Sequence, residues 1–208
     1  MGFFPFYTDI ENKKCVIAGG GRVAAGKIRR LAEFRPKIVV IAPEISDEIL
    51  QSGVRTIKRR FADSDIEGAF MVIGATDNEA LNRHISGICR EKGIPVNIVD
   101  KPELCSFYFP AIVKKENVTI GISTEGKSPL FAKYLRKRFE EEIDGNMMET
   151  AEILGRFRPY IRALFDSEEK RKEALGAVLN LCLECKNTLP DDETVKVYIN
   201  RIRCKYED

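Results

Sequence analysis

The run Cys15-Val16-Ile17-Ala18-Gly19-Gly20-Gly21-Arg22-Val23-Ala24 constrains this chain more than any other stretch. Cys15 to Ala18 is apolar and short, as a buried strand would be. Three glycines follow, and Val23, Ala24, Ile28, Leu31 and Ala32 then recur at helical spacing. Strand, glycine turn and helix in that order are the setting a dinucleotide fingerprint requires. Gly19 would permit the tight turn and Gly21 the approach of backbone to a pyrophosphate, with Ala24 where a third small residue is expected. The helix start would present free N–H groups and the positive end of its dipole to phosphates. The same pattern also suits a plain glycine turn of any α/β domain.

The flanking sequence extends this unit. Lys37–Ile41 is a β-branched run, expected as the second strand. An acid at its end would hold ribose hydroxyls; Pro43-Glu44 follows, and Glu44, slightly late, is the candidate acid. No arginine beside it favours a 2′-phosphate. Ser46 is placed to cap a short helix ending near Gly53, and Thr56–Arg60 reads as an edge strand. Phe70–Ala75 is a fully buried strand by composition, ending in Thr76-Asp77-Asn78 where open α/β sheets bind ligands. A helix over 79–92 and a strand over 96–99, ending at Asp100, complete an α/β, Rossmann-like, doubly wound parallel sheet.

Beyond Asp100 the alternation breaks. Ser106–Val113 and Asn117–Ser123 suit a hairpin, and Ser128 before Pro129 is a strong helix start. That helix should end near Gly145 and carry an apolar stripe of Leu130, Phe131, Tyr134, Leu135 and Phe139. The remainder reads as helical, with loops at Arg158-Pro159 and Thr188-Leu189-Pro190. The expected division is 1–112 as the nucleotide domain, 113–145 as a small α+β dimerisation region, and 146–208 as a helical C-terminal domain. The stretch before the first strand, rich in Phe, should cap the sheet edge.

Composition excludes more than it selects. The net charge of +2 over 208 residues gives no global reason to expect nucleic acid as a partner. Six dispersed cysteines do not form a disulfide framework and point to a reducing cytoplasm. The N-terminus lacks the basic leader of a signal peptide, and no run is long enough to span a bilayer, so no membrane partner is expected.

Four motifs together resemble one family. Gly19-Gly20-Gly21-x-Val23-Ala24-x-x-Lys27 is similar to its first. Ala75-Thr76 with Asn82 is similar to the second, and Asn97-x-Val99-Asp100 with Cys105-x-Phe107-x-x-Pro110-Ala111 to the third. Ile122-Ser123-Thr124-x-Gly126-x-Ser128-Pro129-x-x-Ala132 is similar to the fourth. This set, covering roughly residues 1–145, resembles precorrin-2 dehydrogenase, the oxidising module that also forms the N-terminal half of sirohaem synthase. The resemblance implies NAD as cofactor, precorrin-2 as tetrapyrrole substrate, a homodimer through the 113–145 region and, in some members, insertion of ferrous iron. It places the catalytic aspartate on Asp100. At a strand end beside a nicotinamide, such an acid can take the proton lost with a hydride. The alternative is that Asp100 only caps the turn before Lys101-Pro102.

The expected cofactor contacts are Gly19, Gly20, Gly21, Arg22, Val23, Pro43, Glu44, Thr76 and Asn78, the last two with turn capping as the alternative. Ser123, Thr124, Gly126, Lys127 and Ser128 are the expected contacts to tetrapyrrole carboxylates; a solvated basic face is the alternative. Asn82 is expected to be a structural hydrogen bonder. The lone histidine, His84, is expected to be a surface residue, and Cys182 and Cys185 to be core packing. No protein metal site is expected. A nucleotide-sensing module without catalysis is the competing function. A short-chain dehydrogenase has no support, because no Tyr-x-x-x-Lys occurs.

Overall fold

The computed structural model describes residues 4–185 and 188–206, in two compact units that divide between Phe109 and Pro110. In the first unit, five parallel strands run in the order β3-β2-β1-β4-β5. They are β1 (Lys14–Ala18), β2 (Lys37–Ala42), β3 (Arg55–Lys58), β4 (Met71–Gly74) and β5 (Val96–Ile98). Pairings such as Ile17 with Val40 and Ile73 set the register. The central strands are buried on both faces, which is why they read as continuous apolar runs rather than alternating ones.

The pleat still sorts their side chains. Cys15, Ile17, Val40 and Ile73 join one core layer, covered by α1 (Arg22–Ala32) through Ala24, Ala25, Ile28 and Leu31 and by α2 (Asp47–Gln51) through Ile49. Val16, Ala18, Val39, Ile41 and Val72 join the other, covered by Ile85 and Cys89 of α3 (Glu79–Glu91) and by Ile66 from a short 3₁₀ turn. Fully burying each such aliphatic side chain contributes about 1.5–3 kcal/mol. Helices on both faces of a parallel sheet, with the order reversing between β1 and β4, make this a doubly wound α/β fold.

The second unit carries an antiparallel hairpin, β6 (Ala111–Lys115) and β7 (Val118–Ile122), turning at Glu116-Asn117 with Glu116 at φ 44°. Val113 and Ile122 pack with Ala132 of α4 (Pro129–Glu142) and with Ile143. The Lys115 ammonium donates to the Ile143 carbonyl at the C-terminus of α4. Helices α5 (Gly145–Leu164), α6 (Glu168–Glu184) and α7 (Asp192–Cys204) surround Ile153, Phe157, Ile161, Val178, Val195 and Ile199. Ser128, Asp144, Ser167 and Asp191 cap the four helices with side-chain oxygens, each cap contributing about 1 kcal/mol. Among the described residues, no helix is long and apolar enough to cross a membrane.

Several sequence expectations change. Pro159 does not break the chain but lies inside α5. It is on the exposed side, while Ile153, Phe157 and Ile161 continue a buried row beneath it. That packing offsets the roughly 3 kcal/mol cost of an interior proline. Helix α4 does end near Gly145, at Glu142, but Gly145 itself opens α5, because Asp144 accepts from the Met147 amide and starts a new helix. The hairpin begins at Ala111, not Ser106. The Ser106 amide donates to Val96 and the Phe107 carbonyl accepts from Asn97, so this stretch is bound to β5. Phe4, Phe6 and Tyr7 are 86%, 74% and 73% exposed, so they do not cap the sheet; Ile10 is the first residue to enter the core. Of that N-terminal stretch, Met1, Gly2 and Phe3 lie outside the described residues. Ser46 occupies the N-cap position of α2, yet its hydroxyl makes no cap bond.

Candidate functional site at the strand crossover

The glycine loop sits where the sheet order reverses, and its fit is steric. Gly19 has φ 121°, outside the range of L side chains, and a Cβ there would lie 2.2 Å from the Ala75 carbonyl oxygen just after β4. A Cβ on Gly20 would lie 2.1 Å from the Glu44 carbonyl oxygen just after β2. The Ser46 amide donates to the Gly20 carbonyl at 2.9 Å, tying the same two segments. Gly21 differs: a Cβ there would meet nothing within 4 Å. The three glycines thus divide the work, two letting backbones from neighbouring strand ends close up and the third leaving open space at the start of α1.

Gly21 is the N-cap of α1, with no side-chain cap and no acid in the first turn. Arg22 and Val23 open the helix, and Val23 is 51% exposed. An uncapped helix start of this kind presents amides and a positive dipole end, the combination that binds phosphate. Pro43 and Glu44 are exposed after β2. The Ser46 hydroxyl, buried, has no hydrogen-bond partner among the described residues.

After β4, Thr76 and Asn82 lock the turn into α3. The Asn82 amide group donates to the Thr76 carbonyl and the Thr76 hydroxyl donates to the Asn82 carbonyl oxygen, each at 2.8 Å. Asn82 is buried and structural, as expected. The Asn78 side-chain oxygen accepts from the Leu81 amide at 3.0 Å as the N-cap of α3. The residues drawn to the crossover by packing are therefore Gly19, Gly20, Glu44 and Thr76, with the backbone of Ala75 as the member that sequence reasoning missed. No side-chain signal points to a carbonyl, but the small residues facing it do.

Asp100 follows β5, exposed and at φ 58°. Lys27, half-buried on α1, stands 4.3 Å from the centre of the Phe109 ring and is electrostatically attracted to Asp100. Cys105 is hydrogen-bonded to Ile98 and Lys101, and burial raises its thiol pKa. In the second unit, the Thr124 hydroxyl accepts from the Ser128 amide, and the Ser128 hydroxyl accepts from the Phe131 amide at 3.1 Å. Ser123 accepts from the Glu125 amide, while Glu125 and Gly126 are in the left-handed region and shape the loop before Lys127. His84 is a surface residue paired with Asp63, and Cys182 is buried core with Cys185 at the end of α6. Among the described residues, no cluster of three metal-ligating side chains occurs.

A family model described as putative NAD(P)-binding matches residues 6–111. The chain belongs to this family. A second model, sirohaem biosynthesis protein central, matches residues 116–142. The chain is 34% identical over 176 residues to a sirohaem synthase of Thioalkalivibrio sulfidiphilus, covering 83% of itself and 36% of that protein. It is 37% identical over 174 residues to that of Ectopseudomonas mendocina, covering 83% of itself and 38% of the relative. The chain therefore spans well under half the length of these curated relatives. The solved structure of SirC, precorrin-2 dehydrogenase, matches at TM-score 0.63 and 20% identity over 99% of both chains, which shows the shared fold. The family read from the four motifs is thus borne out, as is the α/β fold followed by a hairpin and helices.

Proposed function

We propose that this protein is an NAD-dependent dehydrogenase that oxidises precorrin-2 to sirohydrochlorin in sirohaem biosynthesis. The observation that carries the reading is the open, uncapped start of α1 at Gly21, held at the strand crossover by Gly19 and Gly20 in a member of the putative NAD(P)-binding family. The residues present fit the dinucleotide. The pyrophosphate would be held by the amides of Gly21, Arg22 and Val23, and the buried, unpartnered Ser46 hydroxyl beside this loop supplies a polar group for the ribose side, with Glu44. Thr76 and Asn78 would line the other strand end.

NAD, when bound, supplies the hydride acceptor. The chain's own task is to orient the substrate, exclude alternatives and take the proton. Removing two hydrogens from the substrate as a hydride and a proton would leave the proton for a carboxylate oxygen of Asp100 to accept. Its exposure lets that proton pass on to solvent. In the second unit, Ser123, Thr124, Gly126, Lys127 and Ser128 would hold carboxylates of the tetrapyrrole.

The exposed apolar row of α4, with Leu130 at 78% and Phe131 at 51% exposure, supports a homodimer through the 113–145 region. Residues 1–112 would serve the nucleotide, and 146–208 would form a helical C-terminal domain with its own core. Six free cysteines support a reducing cytoplasm as the site of action.

The test is anaerobic precorrin-2 with NAD. NADH formation together with sirohydrochlorin is the expected result; NAD binding without turnover would instead favour a sensing module. Adding ferrous iron to sirohydrochlorin without NAD then tests iron insertion, in which the tetrapyrrole nitrogens would ligate the metal.

A further inference from the structure

Helix α1 does more than present its N-terminus. Its outer face borders a groove of about 480 Å³ lined by Val23, Gly26, Lys27 and Arg30, with the carboxylate of Glu33 at its far end making no ion pair with either cation among the described residues. Arg29, also on this groove, is paired with Glu48. Lys27 and Arg30 make no hydrogen bond or ion pair among the described residues, although they stand three apart on one helix face. Like charges at that spacing repel.

Lys27 is the more constrained of the two. Its stem is half-buried and its ammonium lies over Phe109, leaving the N–H donors unused. Desolvation first, and then the charge of Arg30, lower its pKa, an effect that Cys105 and Asp100 partly oppose. A partly desolvated cation next to a second cation, with an open groove before both, is a site completed by an anion. Gly26 keeps the groove open, since a Cβ there would meet only the end of Arg29, at 3.9 Å.

We propose that Lys27 and Arg30 form a carboxylate-binding subsite on α1, which engages a peripheral carboxylate of the tetrapyrrole and so anchors the substrate on the side of Asp100. The inference rests on the tetrapyrrole reading above and adds residues that reading does not use. A planar fork at Arg30 suits a carboxylate's two oxygens, while Lys27 acts as a point charge held in place by its aromatic contact.

The probe is sirohydrochlorin, titrated anaerobically into the full chain and followed by its absorbance. Lys27→Met keeps the stem over Phe109 and removes the charge; the dissociation constant should rise about tenfold or more, and Lys27→Arg should recover most of it. Gly26→Leu leaves every charge in place, favours the helix and fills the groove, and should weaken sirohydrochlorin in the same way. NAD affinity should stay at the wild-type value in all three variants, and thermal unfolding should not fall in any of them, with Gly26→Leu unfolding at or above the wild-type temperature because it favours the helix. If Lys27→Met and Gly26→Leu bind sirohydrochlorin as wild type does, the groove is a solvated face and this inference falls while the dehydrogenase reading stands. If the wild-type chain binds no sirohydrochlorin, the tetrapyrrole reading falls and takes the subsite with it.

Discussion

Thr76 and Asn82 hold each other through two reciprocal hydrogen bonds of 2.8 Å, one through the Thr76 carbonyl and one through its hydroxyl. The pair fixes the turn that carries the chain from β4 into α3, next to the carbonyl that meets Gly19. Asn82→Leu would leave the Thr76 carbonyl and hydroxyl without these partners. A destabilisation of about 1–3 kcal/mol is expected by chemical denaturation, with weaker NAD binding because the strand end loosens. An unchanged midpoint would show that water replaces the pair at no cost.

The three glycines should separate fold from function. Gly19→Ala meets both an unfavourable φ and the Ala75 carbonyl, and should cost at least about 2 kcal/mol. Gly21→Ala, in open space at φ −91°, should leave stability within about 0.5 kcal/mol. Gly21→Asp should cap α1 and leave it at least as stable, yet abolish NAD binding, because its carboxylate would take the amides a phosphate needs and repel that phosphate. Calorimetric titration beside thermal unfolding reads both effects; unchanged NAD affinity in Gly21→Asp would remove this loop from the site.

Asp100→Asn should lower dehydrogenase turnover by about 10²–10⁴-fold with NAD affinity little changed. The substitution suits the position, since asparagine tolerates the left-handed backbone seen at φ 58°. Asp100→Ala should instead add a backbone penalty of about 1–2 kcal/mol, so turnover and stability can be read apart. Near-wild-type turnover in the asparagine variant would reduce Asp100 to a turn residue.

Acid should expose the role of Asp65. Arg59 clasps both its carboxylate oxygens, at 2.6 and 2.8 Å, and the Ala62 amide donates to one of them. The hydrogen bonds from Arg59, foremost, and then that from Ala62 hold the carboxyl below the usual carboxylate range against an opposing effect of burial. A folded-state pKa below the unfolded one means stability that is fully present above the unfolded pKa, about 3.9, and lost as pH falls through the folded value. Asp65→Asn should therefore be about 1–3 kcal/mol less stable than wild type at pH 7, with the gap closing on acidification below about pH 4. A gap independent of pH would assign the loss to packing.

The α4 surface predicts assembly. Leu130 and Phe131 are exposed, whereas Leu135 packs inward on the hairpin core, so the outward pair is the one to change. Leu130→Glu with Phe131→Glu should turn a dimer into a monomer by light scattering, since burying unpaired anions in an interface is strongly unfavourable. The fold should survive, as neither side chain supports the core. A wild-type chain that is monomeric at micromolar concentration would overturn the dimer.

By itself the sequence determined the local order of events. An apolar run, three glycines and a 3.6-residue period fixed β1, its turn and α1, because each signal acts over a few residues and needs no distant partner. The Ser128-Pro129 start of α4 was legible for the same reason, and so was the family, through four motifs in sequence order. Tertiary structure decided everything that depends on which face meets what. Pro159 stays helical because the row from Ile153 to Ile161 is buried elsewhere on the same helix. Leu135 and Phe131 belong to one apolar stripe by spacing, yet the hairpin covers only the former. Gly19 and Gly20 are required by carbonyls far along the chain, at Ala75 and Glu44, which a parallel sheet brings to one edge. Spacing tells a side chain its direction, but only the pairing of distant strands determines whether that direction ends in protein, in solvent or at a ligand.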